Sequence, residues 1–180
     1  NNTNKPWKLG KKFTNNEKDD SSSKGANNTN LPSGNSDHYS YTENGLTQIL
    51  FLSKRGMSRS PLAKEMMRTL LEGSQLFGRV RTSSRGVTQA YDQCPIDARM
   101  SKFSNKLGYF LQGFSRFATI PDLASADIIV TLDHESEGFV RIHKSFTRGL
   151  SCPLGGFFAP GSDPYVKDPY ERGEEEDVDD

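Results

Sequence analysis

The chain has 180 residues, of which 33% are hydrophobic and 26% charged, and its formal net charge is zero. These values predict one domain with a modest core plus polar appendages, and no apolar run approaches the eighteen or so residues of a membrane-spanning helix. The charge is uneven, with 15 basic and 9 acidic residues in 46–162 but 2 basic and 9 acidic in 163–180, so the body favours an anionic ligand. Nucleic acid is not expected as a partner, because no basic-aromatic stripe is present.

Residues 1–45 form a low-complexity tail that is rich in Asn, Ser, Lys, Asp and Gly. Such a composition buries too little apolar surface to offset the entropy of ordering, which predicts disorder. Within the tail, "KPWKLGKKF" at 5–13 places Trp7 and Phe13 among lysines and is a possible docking segment, with a solvated tail as the alternative. The chain begins at Asn1 rather than at a methionine, which is compatible with a fragment or with a processed organellar form.

The first ordered elements are predicted to be a strand over 48–52 and a helix that begins at Ser60 and Pro61. Ser60 is the predicted N-cap, with Pro61 in the first turn. Apolar residues then recur every four positions and predict a single apolar face, which ends before Gly73. Its members are Leu62, Ala63, Met66, Met67, Leu70 and Leu71.

Further strands and helices are predicted to alternate along the rest of the chain. Strands are predicted at 80–83, 128–132 and 150–158, and helices at 97–111, from Thr119 onward and at 135–143. This alternation predicts an α/β fold with a parallel sheet. Ligands of such sheets bind beyond the carboxyl ends of the strands, which is where residues 53–59 are predicted to lie.

The stretch "LFLSKRGMSRSP" at 50–61 has the features of an anion-binding loop. A turn between a strand and a helix directs backbone N–H groups inward, and the helix N-terminus adds a partial positive charge. Arg59 supplies a guanidinium that can bind two phosphate oxygens, and the hydroxyl of Ser60 can stabilise the loop. The Gly-x4-Gly-Lys pattern of a Walker A loop is absent.

The segment "ILFLSKRGMSRSPLAKEMMRTLL" resembles the opening of the low-molecular-weight protein tyrosine phosphatases, in which Cys-x5-Arg-Ser/Thr-Pro follows an apolar strand. The segments "VRTSSRGV", "PIDARM", "SRFATIPDLASADIIVTLDHES" and "KDPYERG" are similar to later family segments in the same order. The resemblance implies a three-layer α-β-α domain over 46–173 with a short parallel four-stranded sheet, followed by an acidic terminus at 174–180.

The resemblance also implies roles for individual residues. Ser53 takes the place of the nucleophile, Arg59 that of the phosphate-binding arginine and Ser60 that of a supporting hydroxyl. Asp168 takes the place of the general acid and is preferred to Asp163 because Gly173 follows it, as in the family. Tyr170, or alternatively Tyr165, is expected at the mouth of the pocket. The expected phosphate-binding residues are Ser53, Lys54, Arg55, Gly56, Met57, Ser58, Arg59 and Ser60.

Four positions of the loop depart from the family pattern. Ser53 replaces the nucleophilic cysteine, Arg55 a glycine, Gly56 an asparagine and Ser58 a second cysteine. A serine hydroxyl is far less acidic than a thiol, so the loop cannot ionise it usefully. The acidic 174–180 segment also stands where the family has a long amphipathic helix, which predicts one uncovered face of the sheet.

The sequence therefore predicts a catalytically impaired phosphatase-like module. It is expected to bind a phosphate or phosphotyrosine oxyanion, or to serve as an interaction subunit that contacts a partner through the tail or the uncovered face. The alternative is an active tyrosine phosphatase seen as a Cys-to-Ser form. An arsenate reductase is disfavoured because Cys94 and Cys152 are far from the loop in sequence.

Neither a cofactor nor a metal is expected, because the two cysteines and three histidines lack metal-ligand spacing. Cys94 and Cys152 are interpreted as reduced thiols of an intracellular protein, cytoplasmic or organellar, with a disulfide between them as the alternative.

Overall fold

The computed structural model of the protein describes residues 45–170. Residues 1–44 of the predicted tail, the possible docking segment at 5–13, Gly173 and the acidic terminus at 174–180 lie outside the described residues. Among residues 45–170, no helix is both long enough and apolar enough to cross a membrane.

Strands and helices alternate along most of the described chain. In chain order, the elements are β1 (Thr47–Ser53), α1 (Arg59–Glu72), β2 (Val80–Gly86), α2 (Ala98–Lys106), α3 (Ile120–Ser125), β3 (Ile128–Thr131), α4 (His134–Ile142) and β4 (Leu150–Pro153). Short 3-10 turns cover Gln89–Tyr91, Lys144–Phe146 and Leu154–Phe157.

The four strands form one parallel sheet in the order β2-β1-β3-β4. Ser53 at the end of β1 pairs with Gly86 at the end of β2, and Leu52 pairs with Thr131 at the end of β3. The carboxyl ends of the three strands therefore meet at one edge of the sheet. The chain leaves β1 at this edge, so residues 53–59 lie where a doubly wound sheet binds its ligands.

Apolar side chains cover both faces of the sheet and produce the predicted three-layer arrangement. On one face, Leu50, Leu52 and Ile129 pack with Leu123 of α3 and Val140 of α4. On the other face lie Phe51, Val130 and Leu132, against which Ala63, Met67 and Leu154 pack. This arrangement confirms the predicted fold class. It also explains why β1 is apolar on both faces, as a central parallel strand must be.

The predicted uncovered face is wrong for the centre of the sheet. Phe51, Val130 and Leu132 are at most 4% exposed, because α1 and the segment around Leu154 cover them. Open apolar surface does remain elsewhere, including the outer side of α1, where Leu70 is 68% exposed. The stripe Ala63, Met67 and Leu71 turns inward while Met66 and Leu70 point outward, so the single apolar face predicted for this helix divides into two sides.

The predicted N-cap of α1 is also wrong. The helix begins at Arg59, and Ser58, which precedes it, makes no capping hydrogen bond through its side chain. The hydroxyl of Ser60 instead bonds to Ser53, the last residue of β1, and to the carbonyl oxygen of Arg85. A tertiary contact has therefore displaced the local capping role that a serine before a proline predicts.

Two other elements are shorter than predicted. The helix predicted over 97–111 ends at Lys106, because the chain turns at Gly108, whose φ is +84°, in the left-handed region. The strand predicted over 150–158 ends at Pro153 and continues as a 3-10 turn. Gly155 in that turn lies so close to Asp163 that a Cβ atom would be 2.0 Å from its carbonyl oxygen. Helices α3 and α4 begin directly after their capping residues, Thr119 and Asp133, each of which takes part in a reciprocal capping box.

Candidate functional site

The loop of residues 53–60 curls tightly at the carboxyl edge of the sheet. Gly56 has a φ of +71°, and a Cβ atom at this residue would lie 2.5 Å from the backbone nitrogen of Gly86. The loop therefore rests directly on the end of β2, backbone against backbone. Glycine is required at this position both by the left-handed conformation and by the lack of space, which accounts for Gly56 where the resemblance predicts asparagine.

The hydroxyl of Ser53 lies at the bottom of this loop. The residue is 2% exposed, its Oγ lies 2.8 Å from the Oγ of Ser60, and it accepts a hydrogen bond of 3.2 Å from the Gly56 amide. Since Ser60 donates its own proton to the carbonyl oxygen of Arg85 at 3.3 Å, Ser53 is left as the donor to Ser60. In the part of the chain that the structure describes, neither a carboxylate nor an imidazole accepts the proton of Ser53.

Several backbone amides of the loop are available for an anion. The Lys54 amide donates to Oδ2 of Asp133 at 2.7 Å, and the Gly56 amide donates to Ser53. The remaining loop amides have no acceptor within residues 45–170, and a run of such N–H groups before a helix is an anion-binding arrangement. These amides belong to Arg55, Met57, Ser58, Arg59 and Ser60.

Arg59 is held from three directions beside the loop. Its Nη1 donates to the carbonyl oxygen of Val166 at 2.7 Å, and its Nη2 lies 2.8 Å from Oδ2 of Asp133 and 3.4 Å from Oδ2 of Asp168. The side chains of Arg59, Asp133 and Asp168 are at most 9% exposed. The guanidinium is therefore fixed near the loop and is not turned to bulk water.

Asp168 forms a second and shorter ion pair with Arg55. Nη2 of Arg55 lies 2.5 Å from Oδ2 of Asp168, the same oxygen that faces Arg59. Burial acts to raise the pKa of Asp168, but the hydrogen bonds from Arg55 and the Tyr170 amide, together with the charge of Arg59, outweigh it. The pKa of Asp168 is consequently below its ordinary value, and the carboxylate is ionised at neutral pH.

Two tyrosine rings lie near this ion pair. The guanidinium carbon of Arg55 is 6.0 Å from the ring centroid of Tyr91 and 5.8 Å from that of Tyr170. The Tyr170 hydroxyl donates to Oδ1 of Asp97 at 2.5 Å, and Arg99 stacks on its ring at 3.8 Å. The Asp97 amide in turn donates to the carbonyl oxygen of Met57, so the start of α2 fixes both the loop and Tyr170.

The two alternative residues lie elsewhere. Asp163 is exposed, and its Oδ1 accepts a hydrogen bond from the Tyr165 amide at 3.0 Å. The Tyr165 hydroxyl donates to Glu137 of α4, and its ring lies 6.1 Å from that of His134. The structure thus brings Asp168 and Tyr170, rather than Asp163 and Tyr165, next to Arg55.

Two residues at the site were missed by the sequence analysis. Asp133 contacts both Arg59 and the Lys54 amide, and Tyr91 faces Arg55. A signal for Asp133 was present, because it lies two residues after the end of β3, the strand next to β1 in a parallel sheet. Nothing in the sequence around Tyr91 indicates that its ring reaches the loop.

The family model described as low molecular weight phosphotyrosine protein phosphatase matches residues 48–177. The chain belongs to this family. A protein of Synechocystis sp. whose name assigns it to the low molecular weight protein-tyrosine-phosphatases is 27% identical over 89 residues, 49% of this chain. The match spans only 57% of that relative's length.

Solved phosphatase structures share the fold. A protein tyrosine phosphatase from Entamoeba histolytica is 22% identical, with a TM-score of 0.64 over 71% of this chain and 82% of its own. YfkJ from Bacillus subtilis is 23% identical, with a TM-score of 0.64 over 70% and 80%. A cysteine-to-serine mutant of the YwlE arginine phosphatase with a phosphorylated active-site serine is 21% identical, with a TM-score of 0.58 over 71% and 81%.

Proposed function

We propose that this member of the phosphatase family binds a phosphate oxyanion in the loop 53–60 and does not hydrolyse phosphate esters. The observation that carries the proposal is the side chain of Ser53. It is an alcohol, it is 2% exposed, and it forms hydrogen bonds with the Ser60 hydroxyl and the Gly56 amide rather than with a base.

The chemical reason is the acidity of the attacking group. A free thiol has a pKa of about 8.5, and a loop of amides beside an arginine can lower it enough to give a reactive thiolate. An alcohol needs an adjacent general base to attack phosphorus. The contacts of Ser53 supply no such base within the described residues, whereas the unbonded loop amides and Arg59 support anion binding.

The state of Asp168 supports the same proposal. A general acid that protonates a leaving group must itself hold a proton near neutral pH. Arg55 and Arg59 keep the Asp168 carboxylate ionised by lowering its pKa, so the group in the acid's place lacks the proton that it would donate. Both chemical roles of a phosphatase are thus weakened while the anion-binding groups are retained.

A second candidate is that Ser53 reacts once. In the mutant of the YwlE arginine phosphatase, the active-site serine is phosphorylated. In this chain, Ser53 Oγ would form the bond to phosphorus while the donor's bond to phosphorus breaks and the serine proton leaves with the donor group. This is the limited form of the alternative in which the chain is an active phosphatase, with a phosphorylated protein as its substrate.

A pair of assays on the full chain separates these candidates. We expect calorimetric titration to detect inorganic phosphate binding that Arg59→Ala abolishes, and para-nitrophenyl phosphate to give no turnover. Ser53→Cys should gain turnover, because a thiol can ionise in the loop. Turnover by the unaltered chain that Arg59→Ala removes would contradict the proposal, and one phosphoryl group on Ser53 in the intact mass, absent from Ser53→Ala, would favour the second candidate.

An interaction role makes a separate prediction. If the domain serves as a subunit that contacts a phosphorylated protein, binding of that protein should fall with Arg59→Ala. If the fold acts only as a scaffold, the same substitution should leave its complexes intact.

A further inference from the structure

Arg55 lies at the entrance to the loop. The groups that enclose the loop are buried, with Ser53 at 2%, Ser60 at 0% and the side chains of Arg59 and Asp168 at no more than 9% exposed. The side chain of Arg55 is 33% exposed and its guanidinium lies beside the rings of Tyr91 and Tyr170, so a ligand that approaches the loop along these rings meets it. This residue is therefore placed to control which ligands reach the amides.

The guanidinium of Arg55 is fixed in that position by several contacts. Its Nη2 is 2.5 Å from Asp168, and its charged group lies within about 6 Å of two aromatic rings, a distance at which cation–π attraction contributes. The rings of Tyr91 and Tyr170 are the apolar surfaces that an aromatic ester would contact beside the loop. A planar guanidinium already occupies the space near them.

We propose that Arg55 makes the loop selective for inorganic phosphate over aromatic phosphate esters. The inference rests on the proposed function and names its ligand. A free phosphate extends no further than its four oxygens, so it reaches the loop amides without displacing Arg55. The ring of a phosphotyrosine must extend outward past Asp168, and Arg55 has to leave both the carboxylate and the rings to admit it.

Electrostatic interactions also favour inorganic phosphate over the aromatic ester. Moving Arg55 away would leave the buried, ionised Asp168 with the longer contact to Arg59 and the hydrogen bond from the Tyr170 amide, beside an incoming dianion. Breaking a close charge pair in a poorly solvated site carries a penalty that an entering phosphotyrosine must overcome, whereas inorganic phosphate leaves the pair intact. Selectivity therefore arises from an unfavourable term against the ester rather than from an extra contact with phosphate.

The test is a comparison of two affinities in three full-length proteins. Calorimetric titration measures the dissociation constants of inorganic phosphate and of phosphotyrosine for the unaltered chain, for Arg55→Ala and for Arg81→Ala. Arg81 is a matched control, because it is an exposed arginine at the start of β2, the opposite edge of the sheet, and its loss changes the net charge equally. Circular dichroism verifies the fold of each variant.

We expect the unaltered chain to bind phosphate at least tenfold more tightly than phosphotyrosine. Arg55→Ala should shift the ratio of the two constants at least tenfold toward phosphotyrosine, and Arg81→Ala should leave it within twofold. Asp168→Asn, which frees Arg55 without removing it, should shift the ratio in the same direction. If the proteins bind phosphate but Arg55→Ala leaves the ratio unchanged, this inference alone is overturned. If neither the unaltered chain nor Arg55→Ala binds phosphate, the proposed function and the inference are overturned together.

Discussion

Substituting Asp133 should destabilise the domain more than any other single carboxylate at the site. Its Oδ2 lies 2.8 Å from Nη2 of Arg59 and accepts a hydrogen bond from the Lys54 amide. Its Oδ1 accepts a hydrogen bond of 2.9 Å from the Ser136 amide and thereby caps the N-terminus of α4. Loss of an N-cap costs about 1 kcal/mol, and loss of one partner of a buried ion pair costs about 3–5 kcal/mol. Because Asp168 still faces Arg59 at 3.4 Å, we take the lower end.

We therefore expect Asp133→Ala to lower the free energy of unfolding by about 4 kcal/mol and Asp133→Asn by about 3 kcal/mol, because asparagine still caps the helix. Urea denaturation followed by circular dichroism measures both. Glu72→Ala, which removes an exposed ion pair with Arg68, is the control and should not move the midpoint. A loss below about 1 kcal/mol for Asp133→Ala would refute the assigned role, since it would be no larger than the loss of the N-cap alone.

Two further predictions concern pH and the backbone. The pKa of Asp168 is lower in the folded chain, so its ionised form stabilises the domain at neutral pH, and this contribution is lost as the pH falls below about 4, the ordinary value of a free aspartate. The difference in unfolding free energy between the unaltered chain and Asp168→Asn should therefore shrink between pH 6 and pH 3, and a constant difference would contradict the ion pairing. Gly56→Ala should destabilise the domain more than Gly78→Ala, because both residues have a positive φ but only at Gly56 would the new Cβ clash with Gly86. Thermal denaturation compares them, and equal losses would mean that the close contact with β2 is unimportant.

The local signals in the sequence predicted most of the fold. The apolar run before Ser53 identified β1, the run of β-branched residues before Leu132 identified β3, and Thr119 before a proline and an aspartate identified the start of α3. Each of these patterns lies within a few residues of the element that it predicts. The predicted element boundaries are wrong where a distant residue takes over a hydrogen bond. The hydroxyl of Ser60, for example, forms a hydrogen bond with Ser53 instead of capping α1.

The site was less predictable because its contacts join distant parts of the chain. Arg55 and Asp168 are separated by 113 residues, and Tyr170 and Asp97 by 73. The loop was recognisable because strand, turn and helix are contiguous. That Arg55 pairs with Asp168, and so lowers its pKa, depends on how the C-terminal segment folds back over the loop, and no local pattern encodes this.

The three contacts on Arg59 imply that the rotamer entropy of this long side chain is lost when the domain folds, before any ligand arrives. An anion that enters the loop then meets an immobilised guanidinium, and little of its interaction energy is consumed in restricting that side chain. Affinity of this kind depends on the architecture of the C-terminal segment and β3, whereas chemical reactivity depends on one atom at the end of β1. Evolution can therefore change the chemical reactivity while the affinity for the anion persists.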